Sequence, residues 1–202
     1  MRANLRSSTL PVLVAALCAA SWAGPAGAHP GHHEAPSLVG GLAHPLLGAD
    51  HLMAMAAVGL IAIRCGGPLT WRLPLSFVVL TALGGLAGLA SPSAMIEAGV
   101  ALSVVCLGCW LVLGARIPQG AAIAVAGAVG FLHGWAHGAD LPAQPSSLWF
   151  MAGVLLSTGL LHLAGLGMGW RLNRLPLSAS RLGWFAVGSA VTITGVAAMV
   201  AA

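Results

Sequence analysis

The 202-residue sequence has no lysine and no tyrosine, and only 12 residues carry a formal charge, eight of them arginines and four of them acidic. Soluble domains carry charge on about a quarter of their residues, so this composition excludes an ordinary soluble fold. Apolar residues make up 58% of the chain, which excludes an intrinsically disordered protein. The 28 glycines follow no G-X-Y period, so collagen is excluded too.

What the chain does contain is a series of apolar runs, each long enough to cross a bilayer as a helix of about 20 residues. The arginines stand singly between these runs, and such scattering excludes a basic patch for nucleic acid. The sequence predicts an all-α, polytopic membrane protein with six transmembrane helices in residues 42–202. The predicted spans are 42–63, 73–90, 94–114, 120–137, 148–170 and 182–202.

The first 28 residues have the three-part pattern of a secretory signal peptide. Arg2 and Arg6 precede an apolar run, residues 10–20, and the segment ends in the small residues Ala26-Gly27-Ala28. We expect cleavage after Ala28, although an uncleaved first helix is the alternative. Residues 29–41 would then form a histidine-rich extracytoplasmic segment, in which His29 and His32 are candidate ligands that collect metal ions.

The arginines also predict the orientation of the chain in the bilayer. With the mature N-terminus outside, all six arginines that follow the signal segment face the cytoplasm, as the positive-inside rule requires. These are Arg64, Arg72, Arg116, Arg171, Arg174 and Arg181. We therefore expect a multi-pass protein of a bacterial inner membrane with both termini extracytoplasmic.

Ionisable side chains inside the spans are the main functional signal, because each is costly to bury in a bilayer. In the predicted topology they share the outer half of the membrane. They are His44, Asp50 and His51 in span one, Glu97 in span three, His133 and His137 in span four, and Asp140 just beyond the outer end of span four. Pairs of histidines seven or four residues apart share one helix face. Imidazole and carboxylate ligands together suit Ni²⁺, Co²⁺, Zn²⁺ or Cu²⁺.

Simpler interpretations exist for several polar or sulfur-containing residues. Glu97 also fits a helix N-terminus, where a carboxylate is favoured. His162, alone in span five, fits a packed and hydrogen-bonded histidine, and Met53 and Met55 fit core filling. The alternative for His162, Met53 and Met55 is a place along an ion path.

Two motifs resemble the HupE/UreJ family of hydrogenase- and urease-accessory membrane proteins. One is His44-Pro45-x-x-Gly48-x-Asp50-His51, and the other is Phe131-x-His133-Gly134-x-Ala136-His137-Gly138. The resemblance implies a secondary permease for Ni²⁺ or Co²⁺ that supplies metallocentre assembly, with hydrogenase or urease maturation proteins as partners. It also implies that the histidines and Asp50 of these motifs handle the metal. Asp140 stands where many relatives have glutamate, a change that keeps the carboxylate.

Two other classes of protein would also bury paired histidines. A b-type cytochrome would use His51 and His137 as axial haem ligands. An intramembrane zinc hydrolase would use three histidine ligands and an activated water, with Glu97 as the candidate general base. The sequence has no P-loop or other nucleotide motif, so a transporter would be driven by an ion gradient, by the membrane potential or by a partner protein.

We predict that the mature protein begins at His29, because signal peptidase cleaves after a small-residue site such as Ala26-Gly27-Ala28. N-terminal sequencing of protein purified from membranes should return His-Pro-Gly. A protein that retains Met1 or Arg2 would instead have an uncleaved first helix.

Overall fold

The computed structural model describes residues 36–91, 95–142 and 144–201. The predicted signal peptide and the candidate ligands His29 and His32 lie outside the described residues. Within those ranges the chain forms seven α-helices and no strands, which confirms the all-α prediction. The helices are α1 (Leu38–Leu47), α2 (Ala49–Cys65), α3 (Leu69–Ala90), α4 (Ile96–Leu113), α5 (Gln119–Ala139), α6 (Pro145–Leu172) and α7 (Leu177–Ala201).

Helices α3, α4, α6 and α7 are each long and apolar enough to cross a membrane, and the α1–α2 pair qualifies as a fifth, broken span. The chain is therefore a multi-pass helical membrane protein. Helix α5 has 21 residues, but His133 and His137 lower its apolar character. The ends of α3 to α7 lie within five residues of the predicted spans. The total of six spans stays a prediction.

The prediction of one straight helix over residues 42–63 is wrong. The segment is two helices, α1 and α2, that meet at Gly48 with a bend of 86°. Gly48 is extended, with φ −90° and ψ 115°, and Pro45 lies inside the last turn of α1. Proline removes a backbone donor and clashes with the preceding turn, and glycine tolerates the break. The bend places His44 and His51 on different helices.

The helices pack in pairs with their backbones in direct contact. In the pair α3 and α5, a Cβ at Gly84 would overlap the carbonyl oxygen of Phe131, and a Cβ at Gly134 would overlap that of Thr81. The same kind of overlap recurs one turn later on both helices, at Gly138 with Gly85 and at Gly88 with Trp135, so the contacts advance in the same direction and the pair is parallel. Helices α2 and α6 are also parallel, whereas α4 and α7 are antiparallel. These directions agree with alternate crossing by α2 to α7.

Arginines gather at the end of the bundle away from the motif histidines. Arg64, at the end of α2, donates a hydrogen bond to the carbonyl of Leu111, and its guanidinium lies 5.0 Å from the Trp184 ring centre. Arg174, just after α6, lies 3.3 Å from the centre of the Trp170 ring. Cation–π contact of this kind holds the charge at the interface beside an amphipathic ring.

We predict that Gly84→Ala destabilises the protein, because its new methyl group would meet backbone that cannot move independently of α5. Overpacking of this kind costs about 1–3 kcal/mol. The matched control is Gly159→Ala, since a Cβ there faces open space in the middle of α6. Thermal unfolding of the two variants in detergent should show a lowered Tm for Gly84→Ala alone; equal Tm values would contradict the close contact.

Candidate metal site

Four histidines from three helices lie together, and we call them the four-histidine cluster: His44 of α1, His51 of α2, and His133 and His137 of α5. The His51 ring centre lies 4.7 Å from that of His137 and 5.1 Å from that of His133. The His44 ring lies 4.9 Å from His137 and 6.1 Å from His51. His44 is half-buried and the other three are buried, so the cluster opens at His44.

Asp50 fixes the orientation of the His51 ring. The carboxylate oxygen Oδ1 accepts hydrogen bonds from the backbone N–H of His51 and from its ring Nδ1, each at 2.9 Å. Asp50 lies in the first turn of α2, where the positive end of the helix dipole favours a carboxylate. Because the carboxylate accepts, Nδ1 carries a proton, and the neutral form of the ring has its lone pair on Nε2. This carboxylate–histidine arrangement is the usual support of a metal-binding imidazole.

The His133 ring is held in the same way by the backbone of its own helix. Its Nδ1 lies 2.9 Å from the carbonyl oxygen of Val129, which only accepts, so the proton again sits on Nδ1. The Nε2 atoms of His51 and His133 are both buried and have no hydrogen-bond partner among the described residues. An unsatisfied buried acceptor costs about 1–3 kcal/mol, and a cation would satisfy both atoms.

The cluster is close to a ligand set but is not arranged as one. Among the described residues, no three His, Cys, Asp or Glu side chains stand in an arrangement that holds a metal ion. Two imidazoles that bind one ion at about 2.0–2.1 Å have ring centres roughly 4.5–5.5 Å apart. Three of the four spacings, 4.7, 4.9 and 5.1 Å, fall in that range, and the 6.1 Å between His44 and His51 lies outside it, so most of these rings are close enough to share an ion once they turn.

The predicted site residues fall into three groups: a central set, two acidic residues at the edge of the bundle, and His29 and His32, which lie outside the described residues. The structure brings together His44, Asp50, His51, His133 and His137. Glu97 is exposed in the first turn of α4, and Asp140 is exposed at the C-terminal cap of α5. Both therefore lie at the edge of the bundle rather than in its core. The roles of all seven residues in metal binding stay predictions, as do those of His29 and His32.

The sequence analysis missed two aromatic neighbours of the cluster. The Phe150 ring of α6 lies 5.4 Å from His44, and the Phe77 ring of α3 lies 5.7 Å from His133. Phe77 is fully buried and also lies 5.0 Å from His162. Only four phenylalanines occur in the chain, and this rarity is a signal that could have drawn attention to them. Which of them contact histidines depends on how α3 and α6 pack, and the sequence does not give this.

The fold and the site together define a multi-pass helical membrane protein with a buried histidine cluster supported by a carboxylate. The family model for the HupE / UreJ protein matches residues 15–198. Protein HupE of Rhizobium leguminosarum bv. viciae is 36% identical over 177 residues, which cover 86% of this chain and 89% of that protein. No solved structure matches the chain. The chain belongs to the HupE/UreJ family.

We predict that Asp50→Asn lowers the affinity for Ni²⁺ by about 10- to 100-fold, the usual effect of losing the partner that orients a ligand histidine. An amide can donate or accept and no longer holds the proton on His51 Nδ1. Titration calorimetry should be done in an alanine-tail chain, so that the N-terminal histidines do not contribute. That chain carries His29→Ala, His32→Ala and His33→Ala.

The control for the calorimetry is Thr194→Val in the same alanine-tail chain. Thr194 is buried in α7, and its hydroxyl donates only to a carbonyl of its own helix, that of Ala190. We expect this variant to bind Ni²⁺ as the parent does. Equal affinities for Asp50→Asn and Thr194→Val would show that Asp50 does not orient a metal ligand.

Proposed function

We propose that this protein is a secondary permease that carries a divalent transition-metal ion across the bacterial inner membrane, with Ni²⁺ as the first candidate and Co²⁺ as the second. The observation that carries the proposal is the pair of buried Nε2 atoms, on His51 and His133, whose ring protons are held on the opposite nitrogen. Neutral imidazoles fixed in this way are ready to replace the water around a cation.

Membership of the HupE/UreJ family supports the choice of metal, because the motif resemblance implies supply of Ni²⁺ to hydrogenase or urease maturation. The donor chemistry agrees with that choice, since imidazole and carboxylate suit Ni²⁺ and Co²⁺. We infer that the metal is cargo and not a resident cofactor, and that the protein is not an enzyme. Hydrogenase or urease maturation proteins would receive the ion on the cytoplasmic side.

The position of the cluster suits entry of an ion. His44 is half-buried and leads to the buried His137 and His51 rings, so a cation would meet successive donors as it loses water. Asp50 supplies a negative charge directly beside His51. A transport site has to bind strongly enough to admit the ion and weakly enough to release it. Imidazoles that have to turn before they bind would hold the ion less tightly than a preformed site, so the ion would be both admitted and released.

The geometry argues against the haem alternative. A haem plane has to pass between its two axial histidines, but the His51 and His137 rings are in contact, with centres 4.7 Å apart. The zinc-hydrolase alternative has its only candidate base, Glu97, exposed in the first turn of α4.

We expect cells that express the wild-type chain to take up ⁶³Ni²⁺, and expect Asp50→Asn and His51→Ala to lose most of that uptake at equal amounts of inserted protein. The reason is that each substitution removes or misorients an imidazole donor at the entrance. Excess unlabelled Co²⁺ and Zn²⁺, added separately, rank the competing metals. Thr194→Val is the control for buried-polar substitution and should transport normally.

Two results of the uptake experiment would contradict the permease. One is wild-type uptake no greater than that of cells without the gene. The other is normal uptake by both Asp50→Asn and His51→Ala, which would place any transport path elsewhere in the bundle.

A further inference from the structure

His162, in the middle of α6, is buried without a hydrogen-bond partner. Its exposed fraction is 1%, and neither Nδ1 nor Nε2 has a hydrogen-bond partner among the described residues. A packed structural histidine would be expected to bond at least one ring nitrogen. An ionisable side chain retained in a membrane core without such a bond points to use along an ion path.

His162 is linked to the four-histidine cluster through one aromatic ring. Phe77 of α3 contacts His133 of the cluster, with ring centres 5.7 Å apart. Phe77 also contacts His162, with centres 5.0 Å apart and the rings nearly perpendicular at 89°. One buried side chain therefore contacts both the cluster and the next imidazole.

The contact between α2 and α6 contains a candidate metal ligand, the sulfur of Met55, between the four-histidine cluster and His162. Met55 lies one turn after His51 on α2, and Thr158 lies one turn before His162 on α6. The Thr158 hydroxyl donates to the Met55 sulfur at 3.3 Å, and both residues are fully buried. One turn further along α2, a Cβ at Gly59 would overlap the carbonyl of His162, so the two backbones touch there. These contacts between α2 and α6 therefore connect the level of His51 with that of His162.

The rise along α6 from Phe150 to His162 indicates why a single binding site is not enough to carry an ion across the bilayer. His162 lies 12 residues after Phe150, which contacts His44, a rise of about 18 Å along the helix. The hydrocarbon core is about 30 Å thick. An ion held at the four-histidine cluster is thus still far from the arginine end of the bundle, and a bare cation cannot cross the remaining distance without donors.

We propose that His162 is a second, inner binding position for the transported divalent cation, which reaches it from the four-histidine cluster past the Phe77 ring and the Met55 sulfur. The proposal rests on the proposed function and adds a site to it. The ion exchanges one imidazole donor for the next, so no bond in the protein forms or breaks permanently. At this position the ligand is a borderline-soft cation such as Ni²⁺, which accepts both imidazole and thioether donors.

The first test is ⁶³Ni²⁺ uptake by His162→Leu, which fills the space without a donor. We expect uptake to fall to about a tenth of wild type or less, with insertion unchanged. His162→Cys keeps a donor and makes it softer; it should retain more uptake than the leucine variant and be more strongly inhibited by Cd²⁺. Thr194→Val serves again as the buried-polar control. Wild-type uptake by His162→Leu would overturn the inner position.

The second test leaves His162 unchanged and so does not depend on the folding of its variants. Equilibrium dialysis of the alanine-tail chain with ⁶³Ni²⁺ should show two ions bound per chain at saturation. The same chain with His51→Ala should keep one. A parent that binds one ion and a His51→Ala variant that binds none would overturn the proposal.

The outcomes separate this proposal from the permease itself. Strong wild-type uptake that is lost in Asp50→Asn but kept in His162→Leu would retain the permease and remove the inner position. Absence of wild-type uptake would remove the permease, and the two-ion stoichiometry would then decide whether His162 still binds metal.

Discussion

Direct backbone contact between helices at glycine is the constraint on which the rest of this structure depends. In a bilayer no hydrophobic force drives helices together, so close packing of small residues has to do so. Gly84 and Gly134 let α3 and α5 touch, and Gly59 and Gly165 do the same for α2 and α6. Gly134 and Gly138 of the second motif thus face the backbone of α3.

Three of the four cluster histidines are buried in the bundle, and burial raises the importance of each hydrogen bond. His51 and His133 each direct one ring proton to a fixed acceptor, the Asp50 carboxylate and the Val129 carbonyl. Both rings then present a lone pair to a space that no described protein donor fills. Under the proposed function, a cation would satisfy both atoms.

Much of the architecture was predictable, because helix length and hydrophobicity follow from the thickness of the bilayer. The predicted spans over α3 to α7 were correct to within a few residues. The segment of the first predicted span is not one continuous helix, because a run of apolar residues does not reveal that the chain turns by 86° between α1 and α2. His44 and His51 therefore do not share a helix face; their rings are close because of the bend and the packing of α1 on α6.

The sequence by itself determined the membrane class, the helix content and the candidate ligands, since burial in lipid makes each ionisable residue conspicuous. Only the tertiary structure decided which of those residues meet. It joined His51 to both motif histidines of α5 and left Glu97 and Asp140 at the exposed edge. It also placed Phe77 between the cluster and His162. Ring contacts depend on helix rotation and separation, and these are set by packing between distant segments.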